Sequence, residues 1–503
     1  MSDIDLFSNL ALGFGVALSW QNLLYCLIGA LLGTLIGVLP GIGPVTTIAM
    51  LLPITFKLPP TSALIMLAGI YYGCQYGGST TAILVNLPGE ASSIVTTLDG
   101  HQMARQGRAG DALAVAALGS FVAGCFGTLL IAAAGPPLAG MAQQFGPAEY
   151  FSLMVLGLVA SVVMAHGSVL KSFAMIFFGL MLGLIGTDVD TGAMRYTFGV
   201  GELSDGISFV ALAMGLFGIA EILRNLDGPE ADRSVLGSKV TGLWPKASVL
   251  KSALPAVLRG TGLGSVLGLL PGGGAVLASF AAYTVEKKLA KDPSRFGKGA
   301  IEGVAGPESA NNAAAQTSFI PMLTLGIPSN AVMALMVGAM IIQGIEPGPE
   351  VMTKRPDLFW GMVASMWVGN LMLVIINLPL IGMWVSLLRV PYRLMYPAIV
   401  LFCCIGVYTL NNSTFEVVMA AAFGLMGYGL MKFGFEPTPL LLGFVLGPLM
   451  EENLRRAMRY AQGDPIVFVE RPLSAALLAV AFVLLIIVLL PAIRKKREDV
   501  FVE

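Results

Sequence analysis

Glu308, Ser309, Asn311 and Asn312 crowd five positions of the stretch GPESANNAAAQTSFIPMLTLGIPSNA, Gly306 to Ala331. Glu90 closes a related stretch, YYGCQYGGSTTAILVNLPGEASS, Tyr71 to Ser93. Carboxylates, amides and hydroxyls at this density hold ions and small anions by dipoles and hydrogen bonds. No catalytic motif accompanies them. The sequence has no GxSxG, HExxH or CxxC and no P-loop, and its two histidines supply zinc poorly. The chain therefore reads as no enzyme, with no catalytic residue and no cofactor.

Burying a carboxylate at membrane depth costs about 2.5–3.5 kcal/mol on insertion scales, so Glu308 needs a reason. One reading is a coupling cation, Na+ or H+, held by Glu308, Ser309, Asn311, Asn312 and Thr324; the other is structural pairing of Glu308 with Asn311 or Asn312. Glu90 divides the same way, or lies at the interface. His101 reads as a solvated loop residue and His166 as part of a tight turn. The five cysteines lie in apolar segments and read as small core residues. The Gly69-Gly73-Gly77 spacing reads as helix packing, with Gly77-Gly78 opening onto Ser79-Thr80-Thr81.

The elements that position these residues are interrupted helices. Pro40-Gly41-Ile42-Gly43-Pro44 breaks an apolar run at 35–53. GTLIGVLPGIGP at 33–44 recurs as GSVLGLLPGGGA at 264–275, identical at 6 of 12 positions. Each copy is followed by a second motif that ends in a break, Leu87-Pro88-Gly89-Glu90 and Ile327-Pro328-Ser329-Asn330. Irregular backbone at membrane depth is tolerated only where protein or a wet cavity receives it. Paired breaks point to the binding site of a secondary transporter. Pro44 and Pro307 suit first-turn positions, and Ser79 and Ser329 suit N-caps, so the breaks present helix N-termini to an anion. The substrate-binding set reads as Pro40, Gly41, Gly43, Thr46, Gly78, Ser79, Thr80, Thr81 and Asn86 with Gly272, Gly273, Gly274, Ser329 and Asn330.

Composition sets the frame. The chain is 56% apolar and 12% charged over 503 residues, against about 25% charged in soluble domains. It reads as an all-α polytopic membrane protein of about 10–12 membrane segments, with two inverted repeats and broken or re-entrant helices. Helices are expected near 112–138, 148–165, 169–187 and 206–223, and near 358–388, 394–410, 415–431, 434–450 and 472–493. The division reads as a first repeat over 1–224 with motif segments 33–47 and 71–93, and a cytoplasmic linker over 225–252. A second repeat follows over 253–460 with segments 264–279 and 306–331, then a final helix and basic tail over 461–503. The basic loop follows the second motif in copy one, at Arg105, and the first motif in copy two, at Lys287. Inverted topology produces that swap. Crossing parity puts 451–471 on the side of the acidic loop 187–205, with ENLRRAMRY as an alternative interfacial helix. No basic patch with interleaved aromatics suggests nucleic acid.

These motifs, together with DGHQMARQGRAGDAL, LLPGGGAVLASF and LGPLMEENLRRA, resemble the large membrane subunit of tripartite tricarboxylate transporters, the TctA family. The resemblance runs from about Gly15 to the final helix. It implies a multi-pass protein of the bacterial inner membrane and a carboxylate substrate. It implies two partners, a small membrane subunit of about four helices and a periplasmic solute-binding protein. It also implies transport driven by a Na+ or H+ gradient. A stand-alone carboxylate symporter, a channel and a membrane-embedded enzyme are the rival readings.

Overall fold

The computed structural model describes residues 6–39, 41–164, 168–188, 190–227, 243–270, 274–388 and 392–489. Among them the chain is helical, apart from loops and a two-residue hairpin that pairs Gly186–Thr187 with Met194–Arg195. The first half runs through α1 (Leu6–Ala17), α2 (Trp20–Gly37), α3 (Pro44–Thr55) and α4 (Pro60–Val85). Short turns over 91–105 lead to α5 (Ala109–Ala142), α6 (Pro147–Met164), α7 (Val169–Gly183) and α8 (Phe209–Asp227). The second half runs through α9 (Ala247–Leu267), α10 (Gly274–Leu289), α11 (Glu302–Thr317), α12 (Phe319–Leu325), α13 (Ala331–Ile342) and α14 (Pro356–Asn377). It ends with α15 (Ile381–Leu387), α16 (Tyr392–Asn411), α17 (Thr414–Lys432), α18 (Pro437–Tyr460) and α19 (Pro472–Leu489). Among the described residues, α2, α5, α8, α14, α17 and α19 are long and apolar enough to cross a membrane.

Glycine decides how the site helices meet. Gly29, Gly33 and Gly37 line one face of α2, where an added Cβ would meet the backbone of Met66, Ile70 and Cys74 on α4. Gly69, Gly73 and Gly77 return the contact from α4, so the two backbones touch without side chains between them. The second half repeats this contact. Gly260, Gly264 and Gly268 on α9 stand 231 residues after the α2 glycines and meet the backbone of Gly306, Ala310 and Ala314 on α11. Arg259 then clamps α9 to α10 through both oxygens of Glu286, at 2.7 and 2.6 Å.

Three boundary expectations are corrected. The helix foreseen over 358–388 stops at Asn377 and restarts at Ile381, and Trp384 Nε1 bridges the gap to Ile376 O at 2.9 Å. ENLRRAMRY is no separate interfacial helix; it is the last part of α18, which continues to Tyr460. Pro307 lies inside α11, not in its first turn, while Pro44 does open α3. The end of α18 meets the acidic loop, as parity predicts for that side. Arg455 reaches Asp188 at 2.8 Å and Asp190 at 3.0 Å, and Arg195 reaches Glu451 at 2.8 Å.

Two tests follow from this packing. Gly264→Leu should cost about 1–3 kcal/mol or more through backbone displacement. Gly262→Ala, where an added Cβ meets nothing within 4 Å, should stabilise by up to about 1 kcal/mol. Thermal unfolding of the purified protein reads both. The second test uses pH. Arg455 holds the Asp188 carboxyl well below the usual carboxylate range. A depressed folded value gives stability that is present above the unfolded value, about 3.9, and lost as pH falls below it. Asp188→Asn should therefore lower the melting temperature at neutral pH, with the deficit shrinking as pH drops below about 4.

Candidate functional site

The two breaks share one geometry. α4 ends at Asn86 in the left-handed conformation, φ 61°, and α12 ends at Gly326 with φ 74°. A proline follows each after one residue, and then a residue with an extended backbone caps the next helical turn. Glu90 accepts from the Ser93 N–H, and Asn330 Oδ1 accepts from Met333 N at 2.9 Å. All of these pairs are 240 residues apart. Each cap also faces the helix that starts at its own repeat's first break. A Cβ on Gly43, the residue before α3, would lie 3.9 Å from Glu90 Cβ, and one on Gly274 would lie 3.6 Å from Asn330 Nδ2. The halves interlock crosswise, because α10 packs on 91–96 and α3 packs on α13.

A buried polar cluster bridges the halves. Thr96 Oγ1 donates to Glu308 Oε1, and Ser79 Oγ donates to Glu308 Oε2 at 2.5 Å. Asn311 Nδ2 donates to Glu90 Oε1 at 3.1 Å, and Ser92 Oγ donates to the same oxygen at 2.6 Å. Asn312 Nδ2 reaches Ser120 Oγ at 2.7 Å and Glu308 O at 3.1 Å. Glu308 is 1% exposed and Glu90 8%, and none of the ion pairs among the described residues involves either. Uncharged donors thus surround two acids in an apolar interior. The buried oxygens of Ser309 and Asn311 Oδ1 have no partner in the protein. Such a site can hold a cation, or a proton on either acid.

The sequence-predicted residues divide. Ser79, Glu308, Asn311 and Asn312 come together in the cluster, with Gly78 against the Glu90 side chain. Gly41 takes φ 81° and receives Asn225 Nδ2 on its carbonyl at 3.2 Å. Thr46 is buried within α3. Thr80 bonds its own helix at Tyr76 O, and Thr81 ties α4 to Val38 O at 2.6 Å. Thr324 also bonds its own helix, at Ile320 O (2.7 Å), and stays out of the cluster because its hydroxyl is already satisfied there. Ser79 lies inside α4, so it caps nothing, and Asn330, not Ser329, is the N-cap; Ser329 donates to Ser318 O at 3.4 Å. His101 is partly exposed at the end of a helical turn, with Nδ1 3.2 Å from Ile83 O. Pro40, Gly272, Gly273 and His166 lie outside the described residues.

Sequence reasoning missed Thr96, Ser92, Gln75 and Ser120. Gln75 Oε1 accepts from Ser92 at 3.2 Å. Ser92 and Thr96 follow the Leu87-Pro88-Gly89-Glu90 break within two helical turns, and that position is the available signal. Ser120 sits in an apolar helix with nothing local to mark it. Asp99 was missed too. It is fully buried, accepting from Gly299 N and Ala300 N at 2.8 Å and from Tyr283 Oη at 2.9 Å, and so joins the halves at their basic-loop end.

A family model described as "Tripartite tricarboxylate transporter TctA family" matches residues 23–442. An Agrobacterium vitis protein described as "Uncharacterized 52.8 kDa protein in TAR-I ttuC' 3'region" is 62% identical over 500 residues, covering 99% of each chain. A second from the same organism, "Uncharacterized protein in TAR-II ttuC' 3'region", is 65% identical over 240 residues, 48% of this chain and 99% of its own. No solved structure matches.

The left-handed cap separates two roles for Asn86. If the backbone alone requires it, Asn86→Gly should keep stability and transport, while Asn86→Val should lose about 1–2 kcal/mol. Thermal unfolding and uptake, measured on both variants, give the answer. Loss of uptake in a stable Asn86→Gly protein would assign the amide to the ligand.

Proposed function

The chain belongs to the tripartite tricarboxylate transporter TctA family, and on that premise we propose that it is the large transmembrane subunit of a binding-protein-dependent secondary transporter. In this reading it imports a tricarboxylate or related carboxylate across the bacterial inner membrane, driven by a Na+ or H+ gradient. A small membrane subunit of about four helices and a periplasmic solute-binding protein complete the system.

One observation carries the reading: the two matched breaks differ in charge. At the N-terminus of α3 the facing residue is an acid, Glu90, whose Cβ lies 3.9 Å from a Cβ built on Gly43. At the N-terminus of α10 the facing cap is the neutral amide of Asn330. A helix N-terminus carries about half a positive charge. The first repeat supplies its own acid to that field, and the second leaves it to an incoming carboxylate. Gly274 keeps side chains out of the approach. The swapped basic loops support inverted repeats, which give a site reachable from either side. Glu308 and Glu90, buried with uncharged donors only, support cation coupling: a bound Na+ or H+ offsets their charge and part of the substrate's.

The test is uptake of labelled citrate and other di- and tricarboxylates into proteoliposomes. They hold this chain with its small subunit, with the binding protein outside and a Na+ or H+ gradient imposed. Uptake should require both binding protein and gradient. Glu308→Gln should cut it at least tenfold, about 1.4 kcal/mol or more, and remove the gradient dependence. Uptake without the binding protein would replace the tripartite reading with a stand-alone symporter. Gradient-independent flux at channel rates would end the carrier reading.

A further inference from the structure

A cavity lies away from the polar cluster, at the end of the bundle that carries the basic loops. It encloses about 440 Å³ and is lined by Arg108, Ser252, Ser294, Arg295, Lys298 and Glu302 among others. Small-ligand sites commonly enclose about 300–1,000 Å³. Its charges do not cancel. Arg295 pairs with Glu302 at 2.5 Å and Arg108 with Asp111 at 3.5 Å, while Lys298 has no ion pair among the described residues. The loop that holds these groups is fixed from behind. Gln106 Nε2 donates to Lys298 O at 2.8 Å, and Asp99 accepts from Gly299 N and Ala300 N. α11 begins at Glu302, so its N-terminal dipole adds to the positive field.

The neighbouring surface indicates the kind of anion. Ser252 is exposed near the start of α9, and the same helix carries an apolar row of Leu254, Leu258 and Val266, exposed by 50%, 57% and 62%. This apolar stripe runs about 21 Å along the helix axis from the cavity. Trp244, 86% exposed, stands just before α9, with Lys246 and Lys251 also exposed. Aromatic and basic residues at the start of an apolar stripe mark the level of lipid headgroups. We propose that this cavity binds an anionic glycerophospholipid, its phosphate among Arg108, Arg295 and Lys298 and an acyl chain along Leu254, Leu258 and Val266. None of these side chains belongs to the Glu308 cluster, so the site stands apart from the transport reading.

The experiment is native mass spectrometry of the purified protein, equilibrated with equal phosphatidylglycerol and phosphatidylcholine. Wild type should retain phosphatidylglycerol preferentially. Lys298→Gln and Arg108→Gln should each weaken retention about fivefold, and Lys291→Gln, outside the cavity, should not. Thermal unfolding in bilayers of each lipid is the second readout. Phosphatidylglycerol should raise the wild-type melting temperature, and less so in the Lys298 variant. Equal retention of both lipids, or unchanged retention in both cavity variants, would overturn the proposal. Displacement of the lipid by an equal concentration of inorganic phosphate would overturn it too, and would assign the cavity to a soluble anion.

Discussion

Glu308 sets the terms for everything around it. A carboxyl group in an apolar interior must have hydrogen-bond partners within about 3 Å. Its own helix supplies none to the side-chain oxygens. Both donors come from the other half of the chain, Ser79 from α4 and Thr96 from beyond the first break. Holding those two hydroxyls on one carboxyl requires α4 to end where it does. It also requires the chain to reverse through Pro88 and Gly89, and α11 to lie close against both pieces. Asn311 and Asn312 extend the same demand to Glu90 and Ser120. The cluster therefore ties α11 to the break beyond α4, and any movement of one half against the other must break or re-form it.

Close approach of backbones makes that arrangement possible. The glycine faces of α2 and α9 let each pack directly on the helix that carries the polar groups, α4 and α11. With no bulky side chains between them, such pairs are stiff, and van der Waals contact replaces the hydrophobic effect that is missing in lipid. Stiffness matters because the breaks leave backbone groups without helical partners. The left-handed ends at Asn86 and Gly326 and the caps at Glu90 and Asn330 satisfy them locally. The two copies share this backbone solution and differ in the side chains they place on it. Gly78 stands opposite Glu90 in one copy, and Ser318 opposite Ser329 in the other. An acid in one break and an amide in its counterpart give two similar frames unlike electrostatics.

Local features were legible in the sequence because local rules generate them. Apolar runs mark the helices, prolines followed by Gly or Ser mark the breaks, and the recurrence of GxLPGxG marks the repeat. Glu308, Asn311 and Asn312 stood out because polar groups in an apolar run need a reason. The errors share a cause. Ser79 suits a cap and Pro307 a first-turn position by residue type alone, but α4 and α11 run past both, because helix length there is set by packing on α2 and α9, which no short window records.

The sequence by itself determined the class of protein and the positions of the breaks after Asn86 and Gly326. Each of these follows from composition or from spacing along the chain. Only the tertiary structure decided which hydroxyls meet which carboxylate. The partners of Glu308 lie 229 and 212 residues away, and no local periodicity connects them. It also decided that Thr81 and Thr324, polar and within the motifs, spend their hydroxyls on backbone carbonyls. A side chain's type limits what it can bind; the fold around it determines what is within reach.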